Sequence, residues 1–317
     1  MSNPQIAVLI PCYNEAITVG NVVNNFKQAL PDAKIYVYDN NSSDETVNMA
    51  IKAGAIVRHE PMQGKGHVVR RMFRDIEADL YILVDGDDTY DANIAREMVS
   101  LAIEENYDIV NCVCRDMEQT AYRLGHRFGN RLLNGMVRFI FGSYIQDMLS
   151  GYKVLSRRFV KSFPVLSKGF DIETEIAIHA LELSMPVANI EGAYRSRPEG
   201  SQSKLNTYRD ALRIIWLITL LFKHERPMQF FSIVWLILVL ISLAFGIPVF
   251  IQYLQTGLVP RLPTAVLSIG IMLIAFLSLM TGFILDTVTR GRLETKMLVY
   301  LQYLPYADRR KDRNYNL

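Results

Sequence analysis

The sequence predicts an α/β domain, a mostly parallel sheet with helices on both faces, followed by a carboxy-terminal hairpin of two transmembrane helices. Three observations carry that prediction. Short β-rich apolar runs alternate with helix-length stretches through the amino-terminal part, polar clusters follow three of those runs directly, and two long uncharged apolar runs lie near the end of the chain. The 317 residues are 50% hydrophobic and 21% charged, with a formal net charge of +2 and a mean hydropathy of +0.13. Those values exclude a disordered tail protein and a highly basic nucleic-acid binder, so no nucleic-acid partner is expected.

Residues 6–10, 35–38, 80–84 and 109–113 read as strands, with 55–57 as a further short one. Strand, helix and strand in this rhythm argue for a parallel sheet covered by helices. Ligands in such sheets bind beyond the carboxyl ends of the strands, so the residues just after each run matter most. After the first run comes Pro11-Cys12-Tyr13-Asn14-Glu15, after the second Asp39-Asn40-Asn41-Ser42-Ser43-Asp44, and after the third Asp85-Gly86-Asp87-Asp88-Thr89. For Ser42, Ser43 and Asp44, helix capping is the expected role.

Asp85 and Asp87 carry more. Alternate residues of an extended segment point the same way, which would set both carboxylates on one side of the sheet edge beside Asp88. Their mutual repulsion would be relieved by a hard divalent cation such as Mg²⁺, which binds through one or two carboxylates plus substrate phosphates. A leaving nucleoside diphosphate needs a Lewis acid of that kind. The segment Gln63-Gly64-Lys65-Gly66 lacks P-loop spacing and is expected to lie near the nucleotide, with Lys65 touching it.

The apolar runs set the rest. No Asp, Glu, Lys or Arg occurs in 227–260 or in 262–285. Helices over 229–253 and 264–285 would be about 37 Å and about 33 Å long, enough to cross a hydrocarbon core of about 30 Å. Basic residues flank both runs while the loop between them holds only Arg261, which places both termini in the cytoplasm. The amino terminus lacks the pattern of a signal peptide, so the α/β part is expected to stay cytoplasmic, on a multi-pass protein of the cytoplasmic membrane. Residues 206–222 mix Arg209 and Arg213 with apolar residues and suggest an interfacial helix on the lipid bilayer. Small residues such as Ser268, Gly270 and Ser278 would also suit a homo-oligomer packed through the membrane helices. Cys12, Cys112 and Cys114 sit in apolar runs and are expected to be reduced, packed thiols.

At these motifs the sequence resembles family 2 inverting glycosyltransferases of the GT-A fold, specifically the polyprenyl-phosphate glycosyltransferases related to dolichyl-phosphate mannose synthase and the bactoprenol glucosyltransferases. IAVLIPCYNE, VYDNNSSDET, VDGDDTY, Asp147 with Ser150-Gly151-Tyr152-Lys153, and Arg197 with Gly200, Ser203, Lys204 and Leu205 carry the resemblance, in order, over most of 6–205. It implies a GT-A domain over 1–205, interfacial helices over 206–226, membrane helices over 227–288 and a basic tail over 289–317. Pro11, Tyr13, Glu15 and Asp39 become nucleotide contacts, and Asp85 and Asp87 the diphosphate and metal end, with Mg²⁺ or Mn²⁺ as cofactor. The family's third metal position falls on Thr89 here, leaving Thr89, Asp88 or water as candidates. Asn40 and Asn41 replace the family's Asp-Gly; a UDP-sugar is favoured over a GDP-sugar as donor.

Arg123, Arg127 and Arg131 recur every four residues along one helix face, suited either to solvent or to a lipid phosphate; Arg115, Arg197 and Lys204 are further acceptor candidates. Asp147 is a base or an orienting group, with Asp171 and Glu175 as sugar contacts. The expected reaction is sugar transfer to polyprenyl phosphate. A processive polysaccharide synthase would be expected to carry a QxxRW segment, whereas Trp216 and Trp235 lie in other contexts; a non-catalytic nucleotide-sugar binder is the other alternative.

Overall fold

The computed structural model describes residues 3–116, 135, 150–167, 169, 172–195, 219 and 222–306. Chain contacts divide it into one unit of Met1–Asp210 with Thr295–Leu317 and a second of Ala211–Glu294.

The first unit holds a seven-stranded sheet in the order β3-β2-β1-β4-β6-β5-β7. Its strands are β1 (Ile6–Cys12), β2 (Lys34–Asp39), β3 (Ile56–His59), β4 (Leu80–Leu83), β5 (Ile109–Asp116), β6 (Lys153–Ser156) and β7 (Val187–Tyr194). All neighbours pair in parallel except β6, which runs antiparallel to both β4 and β5. The expected parallel α/β architecture is therefore present, and every predicted strand has its counterpart. β6 and β7 were not legible as strands: β6 is four residues beginning with a buried lysine, and β7 alternates weakly at a half-exposed edge.

β1 is apolar along nearly its whole length because helices cover both its faces. α1 (Val19–Ala29) buries Val19, Val22, Val23 and Phe26, one stripe at helical spacing. α2 (Thr46–Lys52), α3 (Lys65–Asp75) and α4 (Ala95–Glu104) complete the crossovers. Strand order reverses between β1 and β4, so the crevice beyond their carboxyl ends is the topological switch point where such sheets bind ligands.

At the opposite end of the strands the chain closes on itself. Asp108, ahead of β5, accepts hydrogen bonds from Arg158 Nε (2.5 Å), Ser156 Oγ (2.5 Å) and the hydroxyl of Tyr300 (2.7 Å). Arg158 also lies over the Tyr300 ring, and Lys296 pairs with Glu182 at 2.6 Å. Thus Thr295 onward is integral to this unit. The expected tail boundary at 289 differs from this, because the helix Leu262–Leu301 runs on past the apolar segment through good helix formers and an Asp286–Arg290 pair one turn apart.

The second unit contains two helices, Pro227–Thr256 and most of Leu262–Leu301, both long and apolar enough to cross a membrane. Gly257 ends the first in the left-handed conformation at φ 65°, which starts the hairpin. Ser242 Oγ donates to the Ser268 carbonyl (2.8 Å) and Ser268 Oγ to that of Ser242 (2.9 Å), so Ser268 is used within the hairpin. Leu240, Phe250, Leu254, Leu267 and Leu277 remain largely exposed on these helices.

The helix Ile172–Glu182 supplies a stability test. His179 packs against Phe159 and Phe163 and shares a 3.1 Å hydrogen bond with Ser162. Burial first, then the charge of Lys296, lowers its pKa to about 4, against a small opposing pull from Glu182. The folded state keeps the ring neutral, whereas the unfolded chain takes up a proton below about pH 6.5. Stability is therefore complete above pH 6.5 and falls as pH drops toward 4, by on the order of 2–3 kcal/mol. Thermal unfolding in detergent should show a shallower acid decline for His179→Leu than for the wild type; parallel declines would contradict this.

Candidate active site

The ends of β1, β2 and β4 meet through a set of side-chain-to-backbone bonds. The amide of Asn14 donates to Ser42 Oγ (2.9 Å), that of Glu15 to Thr46 Oγ1 (2.8 Å) and that of Ala16 to Asp44 Oδ2 (3.1 Å). Asn14 holds φ 55°, a left-handed conformation asparagine tolerates, and its Oδ1 accepts from the Ser43 amide at 2.8 Å. These bonds lock the first polar cluster to the second. Asp44, expected as a cap, also accepts the Thr46 amide at 3.0 Å. Burial pushes its carboxyl up, but hydrogen bonds from Thr46 and Ala16 outweigh that and hold it below the usual range.

Asp39 is buried, accepts from the Ser42 amide (3.3 Å) and faces His59 Nδ1 (3.2 Å). Asn40 is a latch. Its Nδ2 donates to the carbonyls of Glu60 and Met62, both at 2.9 Å, and its Oδ1 accepts from the Gly64 amide at 2.7 Å. Gly64, at φ 132°, takes a backbone conformation reserved for glycine and opens α3 with Lys65. Lys65 Nζ then reaches Asp85 Oδ1 (2.5 Å) and Glu173.

The run after β4 is not extended. β4 stops at Leu83 and the chain turns at Gly86 and Asp87, which corrects the expectation of alternate carboxylates on one extended edge. Gly86 is required there: a Cβ would stand 2.6 Å from Cys12 Sγ. Thr18 Oγ1 fixes the turn by donating to the Gly86 carbonyl at 2.7 Å. Asp87 is buried and accepts the Thr89 hydroxyl at 2.6 Å. Thr89 is buried as well and serves Asp87 as donor, where it was expected as a metal ligand.

The three strand-end clusters share one edge of the sheet. The buried thiol of Cys12 is pushed well above its ordinary value by burial first, then by the charges of Glu15, Asp39, Asp85 and Asp87 on that edge. The fourth motif joins them: Gly151 packs against the Asp85 carboxylate so closely that a Cβ would overlap it, and its amide donates to Tyr90 Oη at 2.7 Å. Arg195, at the end of β7, donates its amide to the Thr89 carbonyl at 2.9 Å.

Tyr13 is partly exposed and Pro11 half-buried at the end of β1. Glu175 accepts the amides of Leu166 (2.7 Å) and Ser167 (2.8 Å) and so holds the turn before its helix. Glu173, which the sequence did not single out, is the member of that helix facing Lys65. The side chain of Arg115, together with Arg123, Arg127, Arg131, Asp147, Asp171, Arg197 and Lys204, lies outside the described residues.

The donor chemistry fits a hard divalent ion. Asp85, Asp87, Glu173 and Lys65 sum to two net negative charges when ionised, and carboxylate oxygens suit Mg²⁺ or Mn²⁺. Among the described residues no three His, Cys, Asp or Glu side chains gather into a metal centre, so an ion here would complete its shell with phosphate and water.

Residues 7–163 match the profile of glycosyl transferase family 2. The chain is 33% identical to glycosyltransferase AglJ of Haloferax volcanii over 229 residues, covering 72% of this chain and 75% of that one. The chain belongs to glycosyltransferase family 2. It is also 53% identical to protein RfbJ of Shigella flexneri over 123 residues, 38% of this chain and 95% of that protein. Identity to a dolichyl-phosphate hexose transferase of H. volcanii is 24%, over 64% of this chain and 87% of that one. Among solved structures, glucosyl-3-phosphoglycerate synthase of Mycobacterium tuberculosis with Mn²⁺, UDP and product shares the fold. Its TM-score is 0.56 at 22% identity, over 70% of this chain and 80% of that one.

The Asn40 latch makes a clear prediction for this glycosyltransferase. Asn40→Ala strands the Glu60 and Met62 carbonyls and the Gly64 amide and should cost on the order of 2–4 kcal/mol. Asn41→Gly loses only exposed bonds at a residue with φ 64°, so it should change stability by less than about 1 kcal/mol. Thermal melts of the two variants decide the point.

Proposed function

We propose that this glycosyltransferase moves a sugar from a nucleotide-sugar, UDP-linked in preference to GDP-linked, to polyprenyl phosphate at the cytoplasmic membrane face, with inversion and with Mg²⁺ or Mn²⁺. The observation that carries the proposal is the acidic edge just after β4: Asp85 is bridged by Lys65 to Glu173 and packed against Gly151, and Asp87 is held by the Thr89 hydroxyl.

Pro11, Tyr13, Glu15 and Asp39 line the nucleotide side of this edge, and Asp39 is held in place by the Ser42 amide. Asp85 and Asp87 would hold the metal, which supplies Lewis acidity to the departing diphosphate. Thr89 orients Asp87, while Lys65 at the amino terminus of α3 offers a further positive charge to phosphate. The acceptor brings its own nucleophile. A phosphate monoester has a second pKa near 6, so its oxygen is largely anionic at neutral pH and needs little help from a base. Asp147 then orients the acceptor or sugar, or takes a proton; Arg123, Arg127, Arg131, Arg115, Arg197 and Lys204 supply cations for the lipid phosphate.

Membrane placement follows from the two apolar helices. Their length and composition support reading them as a pair of spans, and the basic flanks support a cytoplasmic side for both termini and the active site. The dolichyl-phosphate hexose transferase among the relatives supports a lipid acceptor, and the UDP and Mn²⁺ bound by the structural neighbour support the donor and metal.

Purified protein given radiolabelled nucleotide-sugar, Mg²⁺ or Mn²⁺, and short polyprenyl phosphate should place one sugar on the lipid. Asp85→Ala with Asp87→Ala should reduce that transfer by at least about a thousandfold, since it removes the charge that stabilises the leaving group. A growing polymer, nucleotide binding without turnover, or near-normal transfer by the double variant would each overturn the reading.

A further inference from the structure

Lys65 has a use that nucleotide contact alone does not explain. Its Nζ lies 2.5 Å from Asp85 Oδ1 and also touches Glu173, and its side chain is only 9% exposed. An ammonium therefore covers one oxygen of a carboxylate on which a divalent ion would depend. Glu173 also holds the ammonium, and Gly151 lies against the Asp85 carboxylate. Two cations on one oxygen of a partly buried carboxylate repel each other. Lys65 thus occupies the position on Asp85 that a metal ion would seek.

We propose that Lys65 is a resident counter-cation that keeps free divalent ions off Asp85 and yields Asp85 to the metal only when a nucleoside diphosphate arrives. The incoming diphosphate supplies what the exchange needs, negative charge for a flexible ammonium to turn toward, at the amino terminus of the eleven-residue α3. Glu173 is then a positioning residue, acting through Lys65. The consequence is ordered assembly: metal enters with the donor and not before it, so the acidic edge is never loaded without a substrate. This inference rests on the metal-dependent reading of the site given above.

The test is Mn²⁺ binding to the full-length protein in detergent, followed by the electron paramagnetic resonance signal of the free ion, with and without UDP. The wild type should bind Mn²⁺ alone weakly and at least about tenfold more tightly with UDP. Lys65→Met should bind Mn²⁺ alone at least about tenfold more tightly than the wild type, and the gain from UDP should shrink. Because Lys65→Met leaves Asp85 and Glu173 facing each other uncompensated, Lys65→Met with Glu173→Gln is measured beside it. That pair has the wild type's net charge but an uncovered Asp85, and it should keep the tighter binding. If both variants bind free Mn²⁺ no better than the wild type, or if the wild type binds it equally well with and without UDP, the counter-cation role is wrong. No Mn²⁺ uptake by the wild type even with UDP would instead defeat the metal-dependent reading, and the inference with it.

Discussion

Crowded negative charge at the carboxyl ends of parallel strands is the constraint around which the first unit is organised. Glu15, Asp39, Asp85 and Asp87 follow three strands of one sheet, all four charges, after burial, push up the buried thiol of Cys12, and like charges on one edge raise the free energy of the folded chain. The surrounding loops answer that cost. Lys65 bridges Asp85 and Glu173, Thr89 donates to Asp87, and the Ser42 amide donates to Asp39. The latches of Asn40, Thr18 and Tyr90 hold the loops where those donors can reach.

The opposite end of the sheet shows what a closed acidic site looks like in the same unit. Asp108 is almost fully buried, yet it is met by an arginine, a serine and a tyrosine hydroxyl. One charge faces one charge, and the remaining acceptor sites are taken up by hydroxyls, the condition under which a buried ion pair is tolerated. Its work is to fasten residues after Thr295 to the domain base. The two ends of the sheet thus hold their buried carboxylates by different partners: guanidinium and hydroxyls at the base, ammonium, hydroxyl and backbone amide at the carboxyl edge.

Much of this was readable in the sequence because it depends on local pattern. The runs at 6–10, 35–38, 80–84 and 109–113 are apolar since both faces of a central parallel sheet are covered, and the polar clusters follow the first three of them at the edge where sheets of this kind bind ligands. The long apolar helices were equally plain. What escaped depends on contacts distant in sequence. Glu173 gains its meaning from Lys65, 108 residues away, and Asn40 from a loop 20 to 24 residues on. β6 hid because its buried Lys153 breaks the apolar pattern; its ammonium donates to the cross-strand Asn111 Oδ1 at 2.5 Å, a contact 42 residues away in sequence. The extended reading of Asp85 and Asp87 failed because Gly86 must slip past Cys12, and that close approach bends the chain.

The most direct test of the central claim is an electron cryomicroscopy map of the protein in lipid nanodiscs with UDP and Mn²⁺. The account predicts diphosphate and metal density beyond the end of β1, against Asp85 and Asp87 and within reach of Lys65. Nucleotide density at any other edge of the sheet, with the Lys65–Asp85–Glu173 cluster untouched, would contradict it.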